Sequence, residues 1–168
     1  GDDHDRVHEA VDLPDDLEPM RVVPVAPDER AVAKLADALA QAKRPLLWLG
    51  GGARGASAAV ARLVKMGFGV VTTVQGRGVI AEDHPMSIGA YNLQPAIESF
   101  FQTCDALLVV GSRLRSNETL KYQLKLPQPL LRIDADPMAN GRCYRSAQFV
   151  CGDAGLTLGL LADMLESR

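Results

Sequence analysis

Three glycines form the sequence feature with the most definite chemical meaning. Gly50, Gly52 and Gly55 match the pattern G-x-G-x-x-G, between an apolar run at 45–49 and a stretch of good helix formers at 56–66. A strand, a glycine turn and a helix in this order can bind the diphosphate of a dinucleotide, because glycine lets the backbone and the helix N-terminus approach the ligand. The segment therefore indicates a nucleotide-binding turn.

An NAD site of this kind also needs an acidic side chain about 20 residues further on, where it holds the ribose hydroxyls. The next β-branched run, 70–74, is followed by Gln75 and Gly76, and no Asp or Glu occurs between Gly55 and Ala81. The NAD fingerprint is therefore incomplete. Two interpretations stay open: a nucleotide-binding turn, and a glycine turn that serves only the tight packing of strand against helix.

Other polar residues also follow apolar runs. Arg113 comes after the strand-end Gly111 and is the basic side chain best placed to meet a phosphate, unless it is simply exposed. Asp134 and Asp136 could both reach a ribose or a metal if their strand extends that far. The alternative is a strand-end turn in which an aspartate caps the next segment. Because no third ligand accompanies them, a metal site is not predicted.

The elements that must position these residues alternate along the chain. Strand-like runs lie at 45–49, 70–74, 106–110, 130–134 and 149–151, with a short strand or irregular segment at 88–91. Helical patterns separate them, and the last helix, at 154–165, is expected to bury Leu156, Leu160, Leu161 and Leu165. This alternation predicts an α/β fold with a parallel sheet covered on both faces. Ligands of such sheets bind outside the carboxyl ends of the strands, where the candidate residues lie.

Composition limits the classes of function. The chain is 47% hydrophobic and 23% charged, and no apolar run approaches the roughly 20 residues of a membrane helix. No basic stripe with interleaved aromatics occurs, so neither a membrane nor a nucleic acid is expected as partner. The three cysteines form no C-x-x-C pair, which is typical of reduced thiols and a cytoplasmic location. No histidine is arranged with a nucleophile, so no catalytic residue is predicted.

The first 27 residues differ from the rest. Residues 1–20 carry a net charge of −7, against −3 for the whole chain, and residues 1–27 contain four prolines. We expect an acidic linker or arm at 1–27 and one domain at 28–168. A chain that begins at Gly1 without Met is also what a piece of a longer polypeptide would look like.

Residues in a fixed order carry a more specific signal than any single motif. They are Arg44-Pro45 with Gly50-Gly51-Gly52, Val71-Thr72-Thr73 with Gly76 and Gly78, Glu82-Asp83-His84-Pro85, Gly89, Cys104-Asp105-Ala106-Leu107-Leu108 with Gly111-Ser112-Arg113, Ile133-Asp134-Ala135-Asp136-Pro137 and Gly152-Asp153. This series resembles the central domain of thiamine-diphosphate-dependent enzymes, in particular the acetolactate synthase group. The likeness covers about residues 28–168.

The resemblance implies a doubly wound, mostly parallel six-stranded sheet of Rossmann-like type. It also implies a homo-oligomeric parent enzyme in which thiamine diphosphate and Mg²⁺ sit on two other domains, the pyrimidine-binding and diphosphate-binding domains. The thiamine-activating glutamate and the Gly-Asp-Gly…Asn-Asn metal stretch of the family do not occur in this chain. It is therefore not expected to catalyse the family reaction alone, and no catalytic or metal-binding residue is assigned.

In relatives the central domain holds FAD, ADP or a CoA-type nucleotide, or nothing. By position, the resemblance implies a nucleotide-binding set made of Gly50, Gly51, Gly52, Thr73, Val74, Gln75, Gly89, Ala90, Tyr91, Gly111, Arg113, Asp134 and Asp153. Acetolactate synthases tend to have Met-His-Gly where this chain has Ala90-Tyr91-Asn92, and an aspartate pair where it has Arg115-Ser116. These departures disfavour FAD and leave an adenine nucleotide such as ADP.

The leading hypothesis is a central domain from a thiamine-diphosphate-dependent enzyme that acts on 2-oxo acids by carboligation or decarboxylation. The domain would be structural and inactive alone, and its cleft could hold FAD, ADP or nothing. Two alternatives stay open: a free-standing NAD-binding α/β enzyme, and a non-catalytic module with an empty cleft.

Overall fold

A computed structural model describes residues 23–80, 85–89, 97–114, 119, 123–141 and 144–168. These described residues form six β-strands and four α-helices. The strands are β1 (Pro45–Leu49), β2 (Gly69–Thr72), β3 (Ser87–Gly89), β4 (Ala106–Val110), β5 (Leu130–Asp134) and β6 (Gln148–Cys151). The helices are α1 (Glu29–Ala40), α2 (Ser57–Lys65), α3 (Ile97–Phe101) and α4 (Ala154–Glu166).

The six strands form one parallel sheet in the order β3-β2-β1-β4-β5-β6. This is the strand order of the Rossmann fold, so the predicted doubly wound parallel sheet is confirmed. The chain winds outward in one direction through β1 to β3 and in the other through β4 to β6. The direction reverses between β1 and β4, and a crevice opens between the loops that follow these two strands.

Both faces of the sheet are buried, which explains the uninterrupted apolar runs in the sequence. Every residue of β1 and β4 is buried. On one face, Leu47 and Leu108 join a core shared with α1, α2 and α4. On the other face, Trp48 packs against Phe101 of α3, with ring centroids 6.2 Å apart. Three helices on one face and α3 on the other cover the sheet in the described part of the chain.

Aspartates begin two of the helices. Asp28 precedes α1, and its Oδ1 accepts a hydrogen bond from the Arg30 N–H at 3.1 Å. Asp153 precedes α4 and accepts from the Leu156 N–H at 2.9 Å. These carboxylates satisfy backbone donors that have no partner inside the helix, and they lie at the positive end of its dipole.

The predicted buried face of α4 is partly wrong. Leu161 is buried as expected, but Leu156 is 49% exposed, and Leu158, which was not predicted, is fully buried. The helix carries apolar residues almost all round, as in Leu156, Leu158, Leu160 and Leu161, so helical spacing could not select the face that meets the sheet.

Only the last part of the predicted arm at 1–27 is described, because residues 1–22 lie outside the described ranges. Val25 accepts a hydrogen bond through its carbonyl from the Asp153 N–H at 2.8 Å, so residues 23–27 run beside the start of α4. Within the described part of the chain, no helix has the length and apolarity needed to span a lipid bilayer.

Candidate functional site

A cleft of about 270 Å³ lies at the carboxyl edge of the sheet. It is lined by the residues Gly51, Gly52, Gln75, Gly111, Ser112, Arg113 and Asp134. They come from the ends or following loops of β1, β2, β4 and β5, so the cleft occupies the crevice where the strand order reverses. All except Ser112 belong to the set that the resemblance implied.

The loops after β1 and β4 pack backbone against backbone at the base of this cleft. The Gly50 N–H donates to the Val110 carbonyl at 2.9 Å, and the Gly52 N–H donates to the Gly111 carbonyl at 3.0 Å. A Cβ on Gly50 would lie 2.4 Å from the Gly111 oxygen, and one on Gly111 would lie 2.5 Å from the carbonyl carbon of Gly52. Close packing of the two loops therefore requires Gly50 and Gly111, whether or not a ligand binds.

The turn after β1 departs from the dinucleotide fingerprint. After Gly50 the backbone forms a 3₁₀ turn at Gly51–Ala53, and α2 begins only at Ser57. A Cβ on Gly55 would meet no atom within 4 Å, whereas the third glycine of the fingerprint is required by close packing of helix on strand. The geometry therefore disfavours the NAD alternative that the literal motif suggested.

The residues after β2 likewise supply no acid for a ribose. Thr73 is buried, and its Oγ1 accepts from the Gly76 N–H at 3.2 Å, which caps a 3₁₀ turn at Val74–Gly76. Val74 is 70% exposed, and Gln75 lines the cleft. Gln75 therefore brings an amide group, rather than a carboxylate, to this side of the cleft.

Ser112 fixes the loop after β4, and it was not predicted as a site residue. Its Oγ accepts from Trp48 Nε1 at 3.2 Å and from the Leu114 N–H at 3.2 Å, while its carbonyl accepts from Arg132 Nη2 at 2.8 Å. Trp48, Arg132 and Leu114 are fully buried. The sequence signal was the arginine inside the apolar run of β5, because a buried guanidinium must find a hydrogen-bond acceptor.

Leu114 reinforces this loop geometry. It has φ 53°, in the left-handed region that a bulky residue rarely adopts, and its side chain is fully buried on the second face of the sheet. The loop is therefore pinned on both sides of Arg113, and Arg113 itself is exposed. Its main chain is fixed while its side chain can reach the cleft.

Two aspartates beside the cleft organise the turn after β5. Asp134 ends the strand and lines the cleft, and its Oδ1 accepts from the Asp136 N–H at 2.9 Å. Asp136 caps a 3₁₀ turn by accepting from the Met138 N–H at 2.9 Å through Oδ1. Its Oδ2 pairs with Arg113 Nη2 at 3.1 Å. The strand thus stops before Asp136, and the capping-turn interpretation of this motif is confirmed.

The other described residues of the implied set are absent from the lining of the cleft. Gly50 is buried beneath it, and Asp153 uses its carboxylate to cap α4. Gly89 ends β3. Ala90 and Tyr91 lie outside the described residues.

The charge pattern suits binding better than covalent catalysis. The described lining brings together the Arg113 guanidinium, the Asp134 carboxylate, a glutamine amide and glycine backbone, without a nucleophile next to a base. Among the described residues, no three His, Cys, Asp or Glu side chains are grouped as a metal site would need. The arrangement can hold a phosphate at Arg113 and hydroxyl groups at Asp134.

A second cavity, of about 290 Å³, lies at the amino edge of the sheet, where Pro45, Gly69 and Cys104 are among its lining residues. Burial raises the pKa of the Cys104 thiol, which makes a poor nucleophile. Because parallel sheets bind ligands at their carboxyl edge, the cleft between the β1 and β4 loops is the candidate site.

Comparisons with known proteins agree with this geometry. A family model described as "Thiamine pyrophosphate enzyme, central domain" matches residues 32–161. A Pseudomonas aeruginosa protein named as 2-ketoarginine decarboxylase AruI is 34% identical over 136 residues, which cover 80% of this chain and 24% of the relative. The acetolactate synthase large subunit of Parasynechococcus marenigrum is 32% identical over 151 residues, which cover 86% of this chain and 24% of the relative.

Solved structures show the same fold. A Mycobacterium smegmatis enzyme described as thiamin diphosphate-dependent superposes with a TM-score of 0.70 at 25% identity, over 91% of this chain and 31% of that one. Benzoylformate decarboxylase from Polynucleobacter necessarius gives a TM-score of 0.69 at 21% identity, over 92% of this chain and 30% of that one. The chain spans about a quarter of the length of the curated relatives it matches.

Proposed function

Since this chain belongs to the family of thiamine pyrophosphate enzyme central domains, we propose that it serves as the central domain of an enzyme that acts on 2-oxo acids by decarboxylation or carboligation. Relatives named as a 2-ketoarginine decarboxylase and an acetolactate synthase support this class of substrate. The proposal includes pyrimidine-binding and diphosphate-binding domains as partners, a homo-oligomeric parent enzyme and a cytoplasmic location.

Thiamine diphosphate and Mg²⁺ belong to those other domains in the proposal. The described residues offer no grouped carboxylates for a metal-bound diphosphate, so no catalytic step is assigned to them. What this chain contributes is a rigid sheet and a cleft at its carboxyl edge.

We further propose that the cleft binds an adenine nucleotide, with ADP preferred over FAD. The observation that carries this proposal is the convergence of Arg113, Asp134 and the β1 and β4 loops on one cleft. Arg113 would hold a phosphate, the loop backbone would approach it closely, and Asp134 would accept hydrogen bonds from ribose hydroxyls. Gly89 and the unplaced Ala90 and Tyr91 stay in the proposed set, whereas Asp153 would act only through α4.

Nucleotide binding is tested by titration calorimetry of the chain with ADP, FAD and NAD. We expect ADP to bind, and Arg113→Ala to weaken binding at least tenfold, because a charge-assisted contact to phosphate is lost. Arg145→Ala is the matched control, since Arg145 is exposed and precedes β6 at the opposite edge of the sheet. Tight binding of NAD alone, or equal affinities in both variants, would contradict the proposal.

The catalytic part is tested by adding thiamine diphosphate, Mg²⁺ and pyruvate to the chain. We expect no release of carbon dioxide and no acetolactate, because the groups that activate thiamine do not occur in this sequence. Turnover by the purified chain would overturn the assignment as a central domain.

A further inference from the structure

Arg113, the cationic side chain of the cleft, is already engaged by an acid. Its Nη2 lies 3.1 Å from Asp136 Oδ2, and this single contact leaves the two side chains 48% and 37% exposed. Ion pairs exposed to this extent are weak, because water screens them and long side chains lose freedom in forming them. An anion that binds the guanidinium more strongly than Asp136 does could therefore displace this carboxylate, and breaking the ion pair would cost little free energy.

The two side chains of the ion pair differ in how firmly other hydrogen bonds hold them. Asp136 is anchored, because its Oδ1 accepts from the Met138 N–H at 2.9 Å and its own N–H donates to Asp134 Oδ1 at 2.9 Å. Arg113 is an exposed side chain on a pinned main chain. If the pair opens, the guanidinium must move and the carboxylate stays.

We propose that Asp136 competes with the phosphate of the ligand for the Arg113 guanidinium and thereby limits the affinity of the cleft for phosphate-containing ligands. Asp136 pairs with Arg113 when no phosphate is present, and a bound phosphate replaces Asp136 as the partner of Arg113. The inference rests on the proposed binding of an adenine nucleotide. It adds a residue that lowers affinity, whereas the other members of the site raise it.

Pyrophosphate and a nucleoside diphosphate both meet this competition, but they differ in how they meet Asp134. Inorganic pyrophosphate must displace Asp136 and also lie near the Asp134 carboxylate, which repels it. A nucleoside diphosphate faces the same competition, but its ribose hydroxyls can donate to Asp134. The pair therefore lowers the affinity for both ligands, and Asp134 is the residue that distinguishes a nucleotide from pyrophosphate.

The test measures binding of ADP and of pyrophosphate by titration calorimetry in the wild-type chain and in Asp136→Asn. Asparagine keeps an oxygen for the Met138 N–H and cannot pair with Arg113, and Asp136→Ser, which also caps, serves as a second variant. We expect ADP to bind about two- to fivefold more tightly in both variants, the worth of an exposed ion pair. The affinity for pyrophosphate should rise by a similar factor, because pyrophosphate meets the same competition for Arg113.

Two further variants separate competition from a general effect of charge. Asp134→Asn removes the same charge from the cleft itself, and we expect it to weaken ADP binding. In the Arg113→Ala background, Asp136→Asn should change the affinity by less than twofold, because its effect acts through Arg113. Urea unfolding verifies that each variant folds.

Every outcome is decisive. Binding by Asp136→Asn where the wild type binds nothing supports the inference. Equal ADP affinities in the wild type and both Asp136 variants overturn it and leave nucleotide binding intact. Equal tightening by Asp134→Asn, or tightening that persists without Arg113, also overturns it. If ADP and pyrophosphate bind to no variant, the proposed nucleotide function fails and the inference fails with it.

Discussion

Glycines in this chain are confined for different physical reasons. Gly111 has φ +62° and its Cβ position is blocked by the backbone of Gly52 and Ala53. Gly67, which follows α2, has φ +104° but open space around it, and Gly55 has open space without a positive φ. A side chain at Gly55 would meet neither backbone strain nor a clash, one at Gly67 would meet backbone strain alone, and one at Gly111 would meet both.

Replacing each of them with alanine should give a graded series of stability losses. Gly55→Ala should change the free energy of unfolding by about 0.5 kcal/mol or less, and Gly67→Ala should cost about 1–2 kcal/mol for its left-handed backbone. Gly111→Ala should cost about 3 kcal/mol or more, because overpacking adds to the same strain. Urea unfolding measures the series, and a Gly111→Ala loss no larger than that of Gly67→Ala would contradict the interlock of the two loops.

A single carboxylate joins two loops at the amino edge of the sheet. Asp105 accepts from the N–H groups of Lys43 and Arg44, each at 2.8 Å. These bonds favour the charged form and hold the pKa of Asp105 below its usual value. The contribution to stability is therefore fully present above about pH 4, the ordinary aspartate value, and is lost as the pH falls through the lower folded-state pKa.

Asp105→Asn should lower the free energy of unfolding by about 1 kcal/mol at pH 7, because one of the two N–H groups loses its acceptor. The difference from the wild type should shrink as the pH is lowered below about 4, where the Asp105 carboxyl becomes protonated first in the unfolded chain and, at lower pH, in the folded protein. Urea unfolding at pH 7, 5 and 3 measures it. A difference that is constant across this range would show that the charge of Asp105 does not matter.

At the scale of elements, α4 shows how burial differs from composition. Leu158 is fully buried against the sheet, whereas Leu156, two residues earlier, is 49% exposed. Leu158→Ala should cost about 2–5 kcal/mol through lost burial and a cavity, and Leu156→Ala about 0.5 kcal/mol or less. Thermal or urea unfolding of the two variants measures this contrast, and similar losses would contradict the orientation of the helix.

The strands and helix starts could be predicted because their signals are local. The uninterrupted apolar runs of β1 and β4 indicate burial on both faces of the sheet. Asp28 stands immediately before the helical pattern of apolar residues in α1, which is the position of an N-cap. The buried face of α4 could not be predicted, since it depends on which side meets the sheet. The end of β5 at Asp134 agrees with the predicted run at 130–134, and side-chain hydrogen bonds hold the turn that follows it.

The candidate site was predictable to the extent that strand ends converge at one edge of a parallel sheet. That rule places Gly51, Gly52, Gly111, Arg113 and Asp134 together, and the structure agrees. It could not reveal Ser112, whose partners Trp48 and Arg132 come from two other strands. Nor could it show that Asp153 serves α4, because a cap and a ligand contact look alike in sequence.

At the scale of the whole molecule, the core is closed on both faces of the sheet although the chain spans about a quarter of its curated relatives. The one tryptophan of the sequence, Trp48, lies fully buried in this core. We expect the chain to unfold in one cooperative step, in which Trp48 fluorescence and far-ultraviolet circular dichroism change at the same urea concentration. Separate midpoints for the two signals would contradict a single cooperative unit.

The backbone interlock of Gly50 and Gly111 also has an evolutionary consequence. A lineage that needed a different ligand could not enlarge or recharge this cleft by putting side chains on those two loop positions, because each would push the sheet's central strands apart. The residues free to vary are three that line the cleft with side chains, Gln75, Arg113 and Asp134, together with Asp136, which pairs with Arg113. Relatives that bind a different ligand should therefore differ at these few side chains, whereas the backbone of the two loops stays the same.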